Sequence, residues 1–145
     1  MLLTDLISQR DVFYLSNTTS KKRLFQDISK HFSQILKVDN SYISSCFQER
    51  EQLGHTGMGK GIAIPHARIE KINNIQGMFI RLEKPINFDS LDKQPIDIIF
   101  AIVAPKEDST EHLKALAKVS RLLKDNDVCK KLRSTEDNLA LYSIL

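Results

Sequence analysis

A glycine-rich segment that ends in Pro65 and His66 contains the residues whose types and spacing could do chemistry. Glycines alternate with other residues over positions 57–61, and an apolar run follows at 62–64. Glycine lets backbone approach a ligand closely because it has no Cβ, and the apolar run predicts a brief buried strand. Pro65 has no N–H and a fixed φ, so it ends the hydrogen-bond ladder of that strand. The pattern predicts that His66 is presented at a strand end, where an imidazole nitrogen could carry a phosphoryl group.

Length and composition limit the class of protein. The 145 residues predict one domain over residues 1–145, and 41% hydrophobic with 27% charged residues is ordinary for a globular protein. The 21 basic and 18 acidic residues are mixed along the chain, without a basic arm of the kind that binds nucleic acid. No stretch approaches the roughly 18 apolar residues of a membrane span, and the N-terminus lacks the features of a signal peptide. Cys46 and Cys129 are interpreted as reduced thiols. These features predict a cytoplasmic protein with no nucleic-acid partner and no membrane insertion.

Strand patterns alternate with helix patterns along the chain. Strands are predicted over 12–15, 62–64, 77–82 and 96–103, and helices over about 20–36, 41–53, 108–124, 127–132 and 136–144. The strand at 96–103 is apolar enough to be buried on both faces of a sheet, and a loop rich in turn formers precedes it at 84–95. Strands separated by helices predict a three-layer α/β/α sandwich.

The helix at 108–124 begins with capping-box spacing at 108–111. Its apolar periodicity predicts which face is turned inward. The predicted inner stripe consists of Leu113, Leu116, Ala117, Ser120 and Leu123.

The segment Glu49-Arg-Glu-Gln-Leu-Gly-His-Thr-Gly-Met-Gly-Lys-Gly-Ile-Ala-Ile-Pro-His66 closely resembles the signature of phosphotransferase-system (PTS) enzyme IIA domains of the fructose/mannitol type. Positions 85–100 and 111–116 are similar to two further blocks of that family, so the resemblance covers essentially the whole chain. It implies a type-2 IIA fold, in which a mixed central sheet lies between helices. Within the family, the chain most resembles the nitrogen-regulatory branch.

The resemblance also implies roles for three residues. His66 is expected to accept a phosphoryl group from an HPr/NPr-type phosphocarrier protein, and phosphate then adds close to two negative charges. Arg50 and His112 match residues that stabilise or orient the phosphoryl group. From the residues alone, Arg50 could be a surface arginine paired with neighbouring carboxylates, and His112 a surface histidine beside Glu111. The resemblance favours the functional role for both.

Other candidate groups are interpreted as structural. The glycines at 57–61 more readily form a turn than a phosphate cradle, and His31, in the first long helix, is expected to be structural. His55 stands where the family more often has serine, and we expect it to be exposed. Asp89, Asp92 and Asp97 are expected in turns and caps. We predict no cofactor and no metal site.

The predicted function is that of a cytoplasmic phosphocarrier-regulator of the nitrogen PTS, which signals to targets such as potassium-transport regulators or sensor kinases. The alternative is a sugar-specific IIA component that passes the phosphoryl group to a separate IIB protein. A binding module without phosphorylation is disfavoured because Arg50, His66 and His112 are all present. A histidine-dependent hydrolase is disfavoured because no group that would activate water is recognisable near His66.

Overall fold

A computed structural model describes residues 2–107 and 110–145. Within these residues the chain forms one six-stranded mixed sheet, five α-helices and two short 3-10 turns at Leu3–Asp5 and Gln9–Asp11. The strands are β1 (Val12–Leu15), β2 (Gly57–Gly59), β3 (Ile62–Ala63), β4 (His66–Ile69), β5 (Gln76–Ile86) and β6 (Ile96–Pro105). The helices are α1 (Lys21–Leu36), α2 (Asn40–Leu53), α3 (Glu111–Leu123), α4 (Asn126–Arg133) and α5 (Asn138–Ile144).

The sheet is organised around β6. Its strand order is β1-β5-β6-β3-β2, and β4 also pairs with β6. Strands β3 and β4 run parallel to β6 and β5 runs antiparallel to it, while β1 is parallel to β5 and β2 antiparallel to β3. Residues 98–104 of β6 are fully buried, as expected for a strand covered on both faces.

Helices cover both faces of the sheet, which confirms the three-layer sandwich. One core lies under α1 and α2, where Phe32 and Phe47 pack against residues such as Ile80 and Ile99. The other lies under α3, α4, α5 and the N-terminal segment, where Val119 and other side chains surround Phe100. The two cores give each face of the sheet its own apolar layer.

Several predicted helix ends carry the expected caps. The Ser20 side chain accepts a hydrogen bond from Arg23 N at the start of α1, and Gly54 ends α2. At the start of α5, Asp137 accepts from Ala140 N. The capping box predicted at 108–111 falls partly on Asp108 and Ser109, which lie outside the described residues.

Three details of strands β5 and β6 differ from the sequence-based predictions. Strand β5 continues to Ile86, because Ile86 pairs with Ile96 after a register shift, so the predicted loop is shorter. Strand β6 runs on to Pro105. Asp97 is in neither a turn nor a cap, because it lies in β6. Its carboxylate forms an ion pair with Arg133, in which Oδ1 lies 2.9 Å from Nη2.

Helix α3 is rotated relative to its predicted orientation. His112, Ala115, Val119 and Leu123 are its buried residues, whereas 61% of Leu113 is exposed. Leucine is more apolar than histidine and so is favoured as a core residue, but the packing of the helix on the sheet turns the face that contains His112 inward. This rotation bears directly on the candidate site.

Candidate functional site

The backbone around His66 crosses from one short strand to another. Ile62 of β3 pairs with Ile98, and His66 of β4 pairs with Ile102, so both strands extend along the same side of β6. The carbonyl of Pro65 accepts a hydrogen bond from Ile102 N at 2.9 Å. Proline therefore removes one donor from the ladder without ending the pairing, and His66 is the first residue of β4. The sequence pattern located this strand end but did not predict β4.

The hydrogen bonds of the His66 ring determine which nitrogen has a free lone pair. Nδ1 lies 2.9 Å from the carbonyl oxygen of Ile64, and a carbonyl can only accept, so Nδ1 carries the proton. In the neutral imidazole Nε2 is then the unprotonated nitrogen. Arg50 Nε donates to Nε2 at 3.2 Å. The ring is thus held in one tautomer, and its nucleophilic nitrogen faces a guanidinium group.

Arg50 is positioned by the end of α2. Its Nη1 donates to the carbonyl of Gly54 at 2.9 Å, which is one of the carbonyls that a helix C-terminus leaves without an intrahelical partner. Within the described residues Arg50 forms no ion pair with Glu49 or Glu51. Helix α2 packs against β4, and this contact brings Arg50 to His66.

His112 approaches His66 from the opposite layer of the sandwich. It lies in the first turn of α3, and its side chain is buried, with 7% of the residue exposed. The ring centroids of His66 and His112 are 5.3 Å apart, and the ring planes are inclined by 54°. The rotation of α3 described above produces this contact, since it directs His112 inward and Leu113 outward.

The three predicted site residues line a single pocket with a volume of about 400 Å³. Its other walls come from α2, β4 and the end of β6. They are formed by Tyr42, Ser45, Cys46, Glu49, Leu53, Ala67, Arg68 and Lys106. The glycines at 57–61 do not line this pocket. Gly59 and Gly61 have φ of +86° and +81°, so they form the turn between β2 and β3.

The surroundings of His66 favour its neutral form. Burial lowers the pKa of His66 below its ordinary value of about 6.5, and the nearby charge of Arg50 lowers it further. The hydrogen bond to the Ile64 carbonyl and the negative charge of Glu51 raise the pKa and offset part of this effect. A neutral imidazole at pH 7 has an available lone pair on Nε2, which is the requirement for a nucleophile.

Two features near the pocket were not predicted from sequence. The Glu51 carboxylate accepts hydrogen bonds from the backbone N (3.1 Å) and hydroxyl (2.5 Å) of Thr56, and so fixes the segment that leads into β2. Arg68 is two residues beyond His66 on β4, and the alternation of side chains along a strand places both on the same face. The two-residue spacing could have indicated that Arg68 lies beside His66, but only once His66 is assigned to a strand.

The remaining candidate groups lie apart from this pocket. His31 Nε2 lies 2.8 Å from Asp11 Oδ1 in the core, and 41% of the His55 side chain is exposed. Within residues 2–107 and 110–145, no three His, Cys, Asp or Glu side chains are grouped so as to hold a metal ion. Among the same residues no helix has the length and apolar character needed to cross a bilayer.

The chain matches one protein family over nearly its whole length. Residues 5–145 match the family model described as "Phosphoenolpyruvate-dependent sugar phosphotransferase system, EIIA 2". The nitrogen regulatory protein of Bradyrhizobium diazoefficiens is 39% identical over 145 residues, which cover 100% of this chain and 95% of that protein. The nitrogen regulatory protein of Escherichia coli K12 is 37% identical over 127 residues, covering 87% and 78% of the two chains.

Solved structures show the same fold. The crystal structure of nitrogen regulatory protein IIA-Ntr from Neisseria meningitidis superposes with a TM-score of 0.91 at 28% identity, covering 99% of both chains. IIA mannitol from Escherichia coli superposes with a TM-score of 0.78 at 18% identity, over 95% of this chain and 97% of that one. At that identity the second likeness concerns the fold alone.

Proposed function

The chain belongs to the EIIA type-2 family of the phosphoenolpyruvate-dependent sugar phosphotransferase system, and from this membership we propose that it is a phosphocarrier that acts through His66. In this proposal His66 accepts a phosphoryl group from a histidine on an HPr/NPr-type carrier protein. The protein then signals through its phosphorylation state in the cytoplasm. The single observation that carries the proposal is the lone pair of His66 Nε2, which lies within a concave pocket beside Arg50.

The transfer step requires little covalent chemistry from the protein. The N–P bond on the carrier histidine breaks as a new P–N bond forms at His66 Nε2, and the carrier imidazole keeps the electron pair of the broken bond. Nδ1 of His66 retains its proton throughout, because it donates to the Ile64 carbonyl. The attacking and leaving nitrogens must lie in line with phosphorus, and the charge on the three equatorial oxygens must be neutralised.

Arg50 and His112 would supply that neutralisation. A phosphoryl group on Nε2 takes the place of the hydrogen bond from Arg50 Nε, so the guanidinium moves its N–H donors from nitrogen to phosphoryl oxygens. The planar fork of arginine suits two oxygens at once. His112 lies close enough for its ring to face the same oxygens, and the N-terminus of α3 adds a favourable dipole.

The regulatory assignment rests on the relatives. Nitrogen regulatory proteins match this chain at 34–39% identity over 87–100% of its length. The fructose-specific EIIA component of Haloferax volcanii matches at 35% over 67% of this chain, and the fructose-specific EIIABC component of Bacillus subtilis matches at 28%. These likenesses support our proposal that the chain acts in the nitrogen-regulatory branch, with targets such as potassium-transport regulators or sensor kinases. Added charge at His66 would bias the interface with such a target. Transfer to a separate IIB protein is the second candidate.

The test is phosphoryl transfer from phosphoenolpyruvate through enzyme I and the cognate carrier, followed by intact mass measurement. The wild-type protein should gain one phosphoryl group that is lost in acid, and His66→Ala should gain none. His55→Ala is the matched control, because it also removes an imidazole but lies outside the His66 pocket, and it should be phosphorylated like the wild type.

Two outcomes would contradict the proposal. If the wild type is not phosphorylated by a carrier that phosphorylates another IIA protein, His66 is not an acceptor and a contact-only module is favoured. If His66→Ala is still phosphorylated, the acceptor is another residue. A phosphorylated protein that passes its group on to an isolated IIB protein would move the assignment to the sugar branch.

A further inference from the structure

A second groove, distinct from the His66 pocket, lies between the start of α1 and the end of α2. Its volume is about 670 Å³, within the usual range for small-molecule sites. Its walls include Lys21, Lys22 and Phe25 from α1, Gln48 and Glu51 from α2, and His55. None of these residues lines the His66 pocket. The two cavities therefore use different faces of α2.

The charges in this groove favour an anion. The Glu51 side chain is 10% exposed, and Lys21 Nζ lies 3.5 Å from Oε2 of Glu51. With the two donors from Thr56, the Glu51 carboxylate is already satisfied by the protein. Lys22 is exposed and has no ion pair or hydrogen bond within the described residues. Two lysines against one carboxylate leave a net positive charge, to which the N-terminal dipole of α1 adds.

The remaining lining suits an organic ligand rather than a bare inorganic ion. Phe25, which is 6% exposed, contributes only the small part of its ring that the core leaves uncovered, and the side-chain amides of Gln26, Gln48 and Gln52 provide both donors and acceptors. Ligand sites commonly combine an apolar wall with a few polar groups that set orientation. The lining thus fits a small molecule that has a carboxylate at one end and an aliphatic, hydrogen-bonding body.

We propose that the groove between α1 and α2 binds a small organic carboxylate, which pairs with the ammonium group of Lys22 and accepts a hydrogen bond from the imidazole of His55, and that occupancy is transmitted to His66 by the end of α2. The physical link is short. Gly54 lines the groove, and its carbonyl accepts the hydrogen bond that orients Arg50. Glu51 follows Arg50 directly in the chain, and it lines the groove. Binding in the groove is tested on the unphosphorylated chain and so does not rest on His66 being a phosphoryl acceptor.

The test is an amide and imidazole NMR titration of the unphosphorylated full chain with succinate, glutarate and glutamate. We expect saturable shifts of the backbone amides of Ser44, Gln48, Gly54 and His55, together with a shift of the His66 ring. Lys22→Glu should weaken binding about fivefold or more, because it reverses the free charge. Lys30→Glu, an exposed lysine of the same helix outside the groove, should leave binding unchanged.

Three results would overturn the proposal. The first is the absence of saturable shifts at the groove amides with all three carboxylates up to about 20 mM. Such a result would mean that the dissociation constant is too high for specific binding. The second is equal binding by glutaramide, which has no charge, or by inorganic phosphate, which has no organic body. The third is equal weakening by Lys22→Glu and Lys30→Glu, since that would indicate a general charge effect.

Discussion

Arg50 Nε donates a 3.2 Å hydrogen bond to His66 Nε2. The lone pair that accepts this hydrogen bond is the one that would form the bond to a phosphoryl group. The same arginine is tied to the Gly54 carbonyl through Nη1. A group that arrives at Nε2 therefore meets an arginine whose position is already set by the helix end. This arrangement leads to the first two predictions.

Replacing Arg50 with methionine should slow phosphoryl acceptance by about 100-fold, because one fixed donor to the developing charge is lost. The measurement is single-turnover phosphorylation by the phosphorylated carrier. Arg121→Met, on the exposed side of α3, removes the same charge away from the pocket and should leave the rate within about twofold. Equal rates for the Arg50→Met variant and the wild type would assign Arg50 a structural role only.

The titration of His66 should show a midpoint below its ordinary pKa of about 6.5, since burial and the charge of Arg50 both disfavour protonation. Protonation removes the lone pair on Nε2, so the acceptance rate should be constant above pH 7 and fall as the pH drops through the His66 pKa. Imidazole NMR gives the midpoint, and His66→Ala assigns the signal. Arg50→Met should raise the midpoint. A His66 midpoint above that of the Arg50→Met variant would contradict the electrostatic argument.

The turn between β2 and β3 should tolerate no side chain at Gly61. A Cβ there would lie 2.5 Å from Arg133 Nη2 and 3.1 Å from Asp97 Oδ1, at a φ of +81°. Gly61→Ala should lower the free energy of unfolding by about 1–3 kcal/mol in urea denaturation, because strain and the disturbed ion pair add. Gly54→Ala is the control, since nothing lies within 4 Å of its Cβ position. Similar losses for the two variants would contradict the packing argument.

The buried Asp11 should contribute to stability only as a carboxylate. Burial raises its pKa, but hydrogen bonds from His31 and Ser8 more than offset this, so the pKa of Asp11 lies below its ordinary value. Since the folded pKa is the lower one, the contribution is present above about pH 4 and is lost as the pH falls through the folded pKa.

Asp11→Asn should therefore cost about 2–4 kcal/mol at pH 7, because an amide cannot accept all the bonds from Ser8, Gln76 and His31. Urea denaturation at pH 7 and at pH 3 measures the effect, and the cost should shrink at the lower pH. Asp5→Asn is the control, since its bond to Leu2 N is exposed. A cost for Asp11→Asn that is independent of pH would exclude the charged hydrogen-bond network as its source.

Local sequence patterns were sufficient to predict most helices and the central strand. Ser20 and Gly54 bound α1 and α2 because caps satisfy backbone groups within a few residues. The orientation of α3 was predicted wrongly, because His112 and Leu113 are neighbours on one helix and only the packing partner decides which face is buried. Strand β4 was also missed, because four residues with one proline before them have no pattern that distinguishes them from a loop.

By itself the sequence determined the glycine turn, the proline that precedes His66 and hence the candidate nucleophile, because these depend on the conformational limits of adjacent residues. Only the tertiary structure decided that Arg50 and His112 meet at His66. Arg50 arrives through the packing of α2 on β4, and His112 through the rotation of α3 on the opposite face of the sheet. Contacts between residues distant in the chain depend on strand pairing and packing across layers, and no local pattern encodes them.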